Sequence, residues 1–264
     1  MKKIAIIISY LLPLFIREKI AILFLLTLGK GFDFNSLKKE LNLFKNLLKK
    51  KGLFLDIGGN KGKYSDLLIN YFPEAKVYIF EPQKKLFYFL KKKYTNKKNI
   101  KLFNFAVSDK NKKNLFFLRH SGDPLGSLYK RNIFQKNFKM IKKESVRSVR
   151  LDKILDHKQI IDFAKIDTEG NEMKVLKGIG KLIKNFSIIQ IEFGGTWIDS
   201  RYFYKDLYNF FFNNNFSLFR MSPRGLIKII DYKEIDEYFT FTNFLAINNR
   251  KNIYNKNKEA VIYE

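Results

Sequence analysis

The amino-acid sequence predicts an α/β protein built on a mostly parallel, doubly wound sheet. Short apolar runs, such as Leu53–Ile57 and Phe163–Ile166, have the length and composition of strands that are buried on both faces. They alternate with segments whose apolar residues recur at helical spacing, such as Lys84–Lys93. Regular alternation of strands and helices is typical of a parallel sheet that carries helices on both faces.

The predicted elements follow the chain in order. Strands are expected where apolar runs end at glycine, proline or polar residues: Leu53–Ile57, Ala75–Phe80, Ile100–Val107, Phe163–Ile166, Ser187–Ile191, Phe216–Met221 and Thr240–Ile247. Helices are expected over Asn35–Lys51, Asp66–Phe72, Lys84–Lys93, Asn171–Ile183 and Tyr202–Phe212. The first helix has Ser36 as its N-cap. The last two strands are expected to close the seven-stranded sheet as an antiparallel pair, with Arg224 and Gly225 in their connection.

The chain divides into three parts. Residues 1–50 are expected to form a helical extension, residues 51–248 the α/β domain that carries the site, and residues 249–264 a polar, frayed tail.

The pattern of the α/β domain is interrupted at about residues 110–150. Leu115–Arg119 and Ser145–Leu151 are predicted as extended strands, and the segment between them, Ser121–Lys143, combines turn residues with a basic stretch. A connection of this length is usually functional. We therefore expect an insertion that acts as a lid beside the site.

Residues 1–31 are apolar but interrupted. Ile4–Ile16 contains Pro13, and a charged triplet beginning at Arg17 separates it from Ala21–Leu28. Neither run reaches the roughly 20 uninterrupted apolar residues of a membrane-spanning helix. No small-residue cleavage site follows, which disfavours a secretion signal. Two possibilities stay open: a helix packed on the domain, and a helix lying in a membrane interface.

The chain of 264 residues carries a formal net charge of +26, which favours anionic partners such as nucleic acid or a lipid surface. However, lysine, asparagine, isoleucine, phenylalanine and tyrosine share AT-rich codons, so a biased base composition explains the charge without a selected partner. The chain has no cysteine, which excludes disulfides and a thiolate zinc site.

The first predicted strand ends in a glycine-rich loop, Asp56-Ile57-Gly58-Gly59-Asn60-Lys61-Gly62. Glycines let the backbone approach a ligand, and the following helix directs its N-terminus at that ligand. The spacing G-x-G-x-x-G of a dinucleotide site is not met, because Asn60 and Lys63 occupy two of its glycine positions. The acid Asp56 at the strand end suits a ligand that presents a cation.

The second predicted strand ends in Phe80-Glu81-Pro82, about 20 residues beyond the start of the glycine loop. An acid at this point suits a bidentate hydrogen bond to the hydroxyls of a ribose.

These motifs resemble those of the FkbM-type methyltransferase family. The matching pieces occur in family order between residue 53 and about residue 247: Asp56–Ser65, Phe80-Glu81-Pro82, Ala106-Val107-Ser108-Asp109, Val149–Asp152, Lys165-Ile166-Asp167-Thr168-Glu169-Gly170-Asn171-Glu172, Val175–Gly178 and Ile191-Glu192. The resemblance implies the Rossmann-like fold of class I methyltransferases, S-adenosyl-L-methionine as cofactor, and O-methylation of sugar or other small-molecule hydroxyls.

The resemblance also implies roles for individual residues. The aminoacyl end of the cofactor is expected at Asp56, Gly58, Asn60 and Gly62, the ribose at Glu81, and the adenine near Ala106 and Asp109. Gly59, Tyr64, Ser65 and Pro82 belong to the same motifs and are assigned to the cofactor site. Asp167 and Glu169 are expected to face the methyl sulfonium.

Methyl transfer to a hydroxyl needs a nucleophile in line with the sulfonium and a group that takes the proton. Asp167 and Glu169 are two positions apart, so one can serve the cofactor and the other the acceptor. His120, at the start of the predicted lid, is the alternative base. We expect no metal, because the acids of this region do not form a dedicated cage.

The sequence thus predicts an O-methyltransferase for a glycan or small-molecule hydroxyl, the acceptor being lipid-linked if residues 1–31 contact a membrane. A cytoplasmic enzyme at the inner face of the membrane is expected. Two rivals remain: a nucleic-acid methyltransferase, for which no RNA-binding module is found, and a membrane-attached binding protein without turnover.

Overall fold

The computed structural model describes residues 2–131, 139–251, 253 and 262–263. Its strands are β1 (Leu53–Ile57), β2 (Lys76–Phe80), β3 (Ile100–Phe103), β4 (Ala106–Val107), β5 (Lys112–Leu118), β6 (Lys142–Val149), β7 (Ile161–Ile166), β8 (Phe186–Phe193), β9 (Phe216–Ser222), β10 (Gly225–Ile229), β11 (Thr242–Asn248) and β12 (Ile262–Tyr263). Its α-helices are α1 (Lys2–Leu11), α2 (Leu14–Thr27), α3 (Leu37–Asn42), α4 (Lys63–Tyr71), α5 (Lys84–Lys93), α6 (Glu172–Ile179), α7 (Thr196–Ser200) and α8 (Tyr204–Asn213). Short 3₁₀ turns cover Lys45–Leu47, Leu151–Lys153, Gly180–Asn185, Glu234–Asp236 and Asn249–Lys251.

The main sheet has the strand order β12-β10-β9-β11-β8-β7-β1-β2-β3. Strands β3, β2, β1, β7 and β8 are mutually parallel, as predicted. The chain runs outward from β1 to β3, then returns to β7 and runs outward again to β8. The order therefore reverses between β1 and β7. Connections diverge at such a point and leave a crevice at the carboxyl ends of the strands, where open α/β sheets bind ligands.

The predicted antiparallel closure is confirmed, since β11 pairs antiparallel with both β8 and β9. Arg224 and Gly225 lie in the connection between these two strands, as predicted, but that connection contains a further strand, because they form a hairpin that joins β9 to β10. With β12 parallel to β10, this hairpin extends the seven predicted strands of the sheet at one edge.

The third predicted strand, Ile100–Val107, is split. β3 stays in the main sheet, whereas β4 pairs with β6 in a second, three-stranded sheet of order β4-β6-β5. The break lies at Asn104, whose side-chain amide donates to the carbonyl oxygens of Glu81 (3.0 Å) and Pro82 (3.1 Å). The chain leaves the main sheet there because this side chain caps the end of β2.

The predicted helix Asn35–Lys51 is shorter than expected. It begins at Leu37 with Ser36 at the N-cap, but it ends at Asn42, and a 3₁₀ turn follows. The break turns Phe44 into the core, where its ring lies 5.6 Å from the ring of Phe163. The free energy gained by burying one large aromatic side chain is greater than the free energy gained by continuing an exposed helix.

The core fills both faces of the main sheet. Leu55 and Ile57 of β1 pack with α6 on one face, and Phe54 packs with α3 and α4 on the other. Several polar side chains interrupt this apolar surface, among them Lys165 on β7 and Gln190 on β8, both buried. Polar groups are rarely buried without a partner, so Lys165 and Gln190 indicate a polar site within the sheet.

Helices α1 and α2 have no buried residue. They join the domain at Leu28–Gly31, where the guanidinium of Arg220 donates to the carbonyl of Leu28 (2.7 Å). The ammonium of Lys30 pairs there with Asp236 at 2.7 Å. Within the described ranges 2–131 and 139–251, no helix has the length and apolar character needed to cross a membrane.

Helix α6 packs unusually closely on β4, because Gly178 exposes its backbone to the strand. A Cβ at Gly178 would lie 2.1 Å from the carbonyl oxygen of Ser108. We expect Gly178→Ala to lower the free energy of unfolding by about 1–3 kcal/mol, as overpacking does. Urea denaturation measures this change.

Gly194→Ala is the matched control, because its Cβ would meet its nearest atom at an ordinary 3.5 Å. Equal stability of the two variants would show that α6 can shift away from β4 without cost.

Candidate active site

The glycine loop after β1 is wedged between the ends of β2 and β7. The N–H groups of Gly58 and Gly59 both donate to the carbonyl of Phe80 at 3.0 Å. A Cβ at Gly58 would lie 1.8 Å from the carbonyl oxygen of Asp167, and its φ of +97° is itself a glycine conformation. Only glycine therefore allows the ends of β1 and β7 to meet at the point where the strand order reverses.

A cavity of about 190 Å³ opens at this point. Its walls come from the ends of β1, β2 and β7 and from β4: Ile57, Gly58, Asn60, Phe80, Glu81, Pro82, Gln83, Ala106, Val107, Asp167, Thr168, Glu169 and Asn171. Its roof comes from the predicted lid and β5: Phe116, Pro124, Leu125, Gly126 and Leu128. We call it the cofactor cavity.

The roof is tied to the floor by hydrogen bonds. The hydroxyl of Ser127 donates to the carbonyl of Glu169 (2.6 Å), and the side-chain amide of Gln83 donates to the carbonyl of Asp123 (2.8 Å). The turn itself is fixed by Arg119, which forms two side-chain bonds to Asp123, at 3.0 and 2.7 Å. The segment Pro124–Leu128 thus covers the cavity; whether it opens, as a lid does, stays a prediction. Residues 132–138 of the predicted lid lie outside the described residues.

Glu81 is the acid at the end of β2, and its carboxylate is buried in the wall of the cofactor cavity. It accepts the backbone N–H groups of Asn60 and Gln83, each at 2.8 Å. Burial raises the pKa of Glu81 to about 8, against these two hydrogen bonds, which lower it. Each oxygen keeps a further lone pair, so the carboxylate is held in place to accept donors from a ligand.

Asp56 is the acid at the end of β1. Its carboxylate is buried and accepts the hydroxyl of Ser65 at 2.5 Å. Burial raises the pKa of Asp56, while the bond from Ser65 lowers it. Asp56 lines a further cavity that adjoins the first and shares Gly58, Asn60, Pro124 and Asp167 with it.

The cofactor cavity contains buried acceptor atoms without a partner in the described structure. They are Oε1 of Gln83, Oδ1 of Asn60 and Oδ1 of Asn171. The amide nitrogen of Asn171 donates to the carbonyl of Val107 (2.9 Å), which fixes the orientation of its free oxygen. Buried acceptors of this kind need donors. The amino groups of adenine and of the methionine moiety supply such donors, so the residues present fit S-adenosylmethionine.

The end of β7 gathers the acids of the Asp-x-Glu motif. The ammonium of Lys165 donates to Asp167 at 2.7 Å and lies 5.2 Å from the ring centroid of Tyr64. Burial disfavours the charge of this ammonium, but Asp167, Glu40 and Glu192 raise the pKa of Lys165 above its usual value. Lys165 therefore stays charged at any physiological pH.

Glu169 lies in the floor of the cofactor cavity beside Asp167 and adopts φ = +53°. Burial and the neighbouring carboxylates of Asp167 and Glu172 raise the pKa of Glu169. Glu172 itself is buried and accepts the backbone N–H groups of Thr168 (2.8 Å) and Gly170 (3.1 Å), which explains its place at the start of α6. It holds the loop rather than facing the cavity.

A second, wider cavity of about 740 Å³ opens on the other side of Asp167. Acids, lysines and small polar side chains line it, with a few apolar ones: Asp33, Asn35, Ser36, Leu37, Lys38, Glu40, Lys63, Leu67, Lys165, Asp167, Glu192, Phe241 and Asn243. We call it the acceptor cavity, after the role that we propose for it below. Its outer wall is formed by residues 33–40, which belong to the helical extension.

Glu40 joins the extension to the sheet. Its buried carboxylate accepts the side-chain amides of Gln190 and, at 3.0 Å, of Asn243. Gln190 in turn accepts the hydroxyl of Tyr64 at 2.5 Å. The polar residue in the middle of β8 thus links the helix after the glycine loop to the extension.

Most predicted site residues line the cofactor cavity, the acceptor cavity or the adjoining cavity at Asp56. Gly62, Ser65 and Asp109 do not line them. Gly62 begins α4 with φ = +72°, and Ser65 holds Asp56, so both support the site from behind. Asp109 lies behind β4, where its backbone carbonyl accepts Arg150 (3.0 Å). The free oxygen of Asn171 is therefore a better candidate for the adenine.

His120 is not brought to the site. Its ring is exposed, and its closest polar contact is the carbonyl of the next residue, Ser121, at 3.5 Å. A general base needs a position within hydrogen-bond reach of the acceptor. The geometry therefore favours the acids of β7 and β8 over His120. Among the described residues, no group of three or more acids and histidines is arranged to hold a metal; a metal-free reaction stays a prediction.

Sequence reasoning assigned no role to several residues that line the two cavities or support them. Lys165, Gln190 and Glu192 carried a usable signal, because charged or amide side chains within apolar strands demand partners. Gln83 follows a recognised motif and Asn171 lies inside one, but their side-chain direction could not be read from spacing. Glu40 gave no signal, because an acid in an amphipathic helix is ordinarily solvated.

The fold and the crevice define a Rossmann-like enzyme of the class I methyltransferase type. The model of the methyltransferase FkbM domain matches residues 56–218, which is more than half of the chain. The chain therefore belongs to the FkbM methyltransferase family, as the resemblance of its motifs implied. It is an S-adenosylmethionine-dependent methyltransferase, and S-adenosylmethionine is its cofactor.

Several solved structures are similar to the chain. An rRNA methylase from Streptococcus thermophilus has 10% identity and a TM-score of 0.46, over 80% of this chain and 94% of that one. Precorrin-6y C5,15-methyltransferase from Geobacter metallireducens has 10% identity and a TM-score of 0.45, over 80% and 87% of the two chains. A dimethyladenosine transferase from Plasmodium falciparum has 13% identity and a TM-score of 0.43, over 83% and 63%. No curated protein matches the chain.

The affinity for S-adenosylmethionine should rise from about pH 6 to about pH 8 and then level off. Ribose hydroxyls donate to the ionised form of Glu81, whose pKa burial raises to about 8. Below that pKa the free carboxyl carries a proton that binding must release, so lower pH weakens binding. Calorimetric titration at several pH values measures the dissociation constant.

Glu81→Gln should flatten the pH dependence and weaken binding at high pH by about 1–3 kcal/mol. The control is Glu74→Gln, which alters an exposed acid outside the cavity that pairs with Lys51 at 2.7 Å. Wild-type affinity and pH dependence in a folded Glu81→Gln enzyme would refute the ribose role.

Proposed function

We propose that this enzyme transfers the methyl group of S-adenosylmethionine to a hydroxyl of a glycan or another small hydroxylated molecule. The observation that carries the proposal is the acceptor cavity, which meets the cofactor cavity at Asp167. Carboxylates, amides and lysines line it, and Phe241 adds an aromatic surface. Such a lining hydrogen-bonds the hydroxyls of a carbohydrate with both donors and acceptors.

The charge of the acceptor cavity argues against a nucleic-acid acceptor. The protein as a whole carries +26, yet four acids, Asp33, Glu40, Asp167 and Glu192, line this cavity beside three lysines. A phosphate backbone is attracted by clusters of lysine and arginine and repelled by carboxylates. The basic character of the chain is therefore not directed at the point where the methyl group is transferred.

Each part of the site has a proposed task. Asp56 with Gly58, Gly59, Asn60 and Tyr64 holds the aminoacyl end of the cofactor, and Glu81 with Pro82 the ribose. The adenine lies against Ala106 and Val107, with its amino group toward Asn171. Bound S-adenosylmethionine supplies an electrophilic methyl group. The protein positions the acceptor hydroxyl and removes its proton, while the roof Pro124–Leu128 excludes water.

Glu169 is our first candidate for the proton acceptor, with Asp167 facing the sulfonium. A carboxylate whose pKa is raised takes up a proton more readily at neutral pH. The structure adds Glu192 as a competitor. It lines the acceptor cavity beside Asp167, and burial followed by the charge of Asp167 raises its pKa well above the usual value.

The same proposal locates the enzyme in the cytoplasm, at the inner face of the membrane, with residues 1–31 in contact with the lipid and a lipid-linked acceptor within reach. The apolar surface of α1 and α2, none of which is buried, supports this location over a helix packed on the domain.

Mass spectrometry of glycans and metabolites from cells with and without the protein tests the proposed function. We expect one added CH₂ on a hydroxylated carbohydrate or related small molecule. A gain confined to RNA, together with a gel shift that persists at high salt, would instead establish the nucleic-acid rival.

Glu169→Gln should lower turnover by about 10²–10⁴-fold, because Gln keeps the shape of the side chain but takes no proton. Cofactor affinity should change little. The rate of S-adenosylhomocysteine formation, with hydroxylated glycosides screened as acceptors, measures the first quantity, and calorimetry the second.

Glu192→Gln is the matched comparison, since it removes the other raised-pKa carboxyl beside Asp167. Full turnover in Glu169→Gln combined with a large loss in Glu192→Gln would transfer the base role to Glu192.

A further inference from the structure

The two N-terminal helices display an apolar surface that the rest of the described chain does not cover. More than half of the large apolar side chains that are exposed in the described residues lie in the first 28 positions: Ile4, Ile6, Ile7, Ile8, Tyr10, Leu11, Leu14, Phe15, Ile20, Ile22, Leu23, Phe24, Leu25 and Leu28. Soluble proteins rarely expose a contiguous apolar surface of this size. In α2 the apolar side chains surround the helix rather than forming one stripe.

The charges around this surface indicate what covers it. Lys2 and Lys3 begin α1, and Arg17 and Lys19 lie near the start of α2, with Glu18 as the one acid of the two helices. The ammonium of Lys19 lies 5.9 Å from the ring centroid of Phe15. Apolar helices with basic side chains match an anionic bilayer, whose headgroups attract the cations while its acyl chains take the apolar residues.

The helices join the domain through a fixed joint, Leu28–Gly31. A Cβ at Gly29 would lie 2.1 Å from the carbonyl oxygen of Met221, so the backbone is pressed against β9. Lys30 is buried, pairs with Asp236 at 2.7 Å and lies 4.6 Å from the ring centroid of Tyr238. The N–H of Gly31 donates to the carbonyl of Phe241 at 2.9 Å.

The joint adjoins the acceptor cavity. Phe241, which accepts the bond from Gly31, lines that cavity, and so do residues 33–40, which follow the joint directly. A surface that takes up α1 and α2 therefore comes to lie beside the mouth of the acceptor cavity rather than at the opposite, amino-terminal edge of the sheet.

We propose that α1 and α2 dock in an anionic bilayer and that the joint Leu28–Gly31 holds the acceptor cavity at its surface, so that the enzyme methylates the headgroup of a lipid-linked hydroxyl compound. The docking itself stands on the helices and the joint; the nature of the acceptor rests on the proposed function.

Flotation with vesicles tests the docking without any acceptor. The full chain should float with vesicles of phosphatidylcholine and phosphatidylglycerol, and much less with phosphatidylcholine alone. Leu23→Glu combined with Phe24→Glu should reduce vesicle binding by at least about tenfold, because both side chains are exposed and the change places charge in the acyl region. Ile141→Glu, an equally exposed apolar residue outside the extension, is the matched control and should float as the wild type does.

A fluorescent label tests the orientation. The chain has no cysteine, so single substitutions give unique labels. Lys38→Cys places the label at the mouth of the acceptor cavity, and Lys98→Cys places it before β3, at the amino-terminal edge of the sheet. A lipid with a spin-labelled headgroup should quench the first label and leave the second unchanged. A flexible glycine–serine insertion between Thr27 and Leu28 should keep flotation but abolish the difference between the labels.

Each contrary result has a definite meaning. Flotation of the Leu23→Glu, Phe24→Glu double variant at the wild-type level would overturn the docking. Equal binding of the wild-type chain to neutral and anionic vesicles would overturn its dependence on anionic lipid. The lipid-free chain could instead self-associate in sedimentation, lose this association in the double Glu variant, and bind no vesicles. That result would show that a second copy of the chain, rather than a bilayer, covers the apolar surface of α1 and α2. Flotation with equal quenching of both labels would overturn the placement of the acceptor cavity. Calorimetry with S-adenosylmethionine on the same samples reports on the proposed function separately.

Discussion

The buried ammonium of Lys165 organises the site. It lies near the carboxyl end of β7, a strand buried along its whole length, and an unpaired charge at such a position costs several kcal/mol. Asp167 neutralises it directly at 2.7 Å, with Glu40 and Glu192 nearby. The cation in turn lowers the pKa of Glu40 and Glu192, against burial, which raises it more strongly. The site is therefore a charge-balanced cluster whose members depend on one another.

This balance ties the extension to the catalytic domain. Glu40 comes from outside the matched residues 56–218, yet it accepts bonds from Gln190 and Asn243 on β8 and β11 and faces Lys165. The segment that completes the acceptor cavity thus shares its charge network with the family motif. One continuous stretch of chain links the exposed helices, the joint at Lys30 and the wall of the acceptor cavity, so the proposed docking surface and the proposed acceptor site are structurally connected.

Close backbone contact is the second constraint. Gly58 meets the carbonyl of Asp167, and Gly178 meets that of Ser108, so β1, β7, β4 and α6 converge more tightly than side chains would allow. This convergence places Asn171 and Val107 across the cavity from Glu81. The second sheet then covers the opening, because the turn fixed by Arg119 and Asp123 returns Pro124–Leu128 over the glycine loop. The cofactor cavity is thus built from two close approaches of backbone to backbone and from a roof that side-chain hydrogen bonds hold over them.

The sequence by itself determined the α/β class, the parallel strands and the crevice at the glycine loop, because these depend on local signals: apolar runs, glycines at strand ends and acids at fixed spacing. It predicted Asp56, Glu81, Asp167 and Glu169 as neighbours, since the carboxyl ends of parallel strands share one edge. Tertiary structure alone decided the rest. Ile100–Val107 is split because Asn104 caps the end of β2. The helix that begins at Leu37 is shortened because Phe44 is buried. His120 stays outside the site because the turn after β5 follows a different path. Glu40 and Gln190 meet across 150 residues, and no local pattern encodes a contact that exists only when the extension lies against the folded sheet.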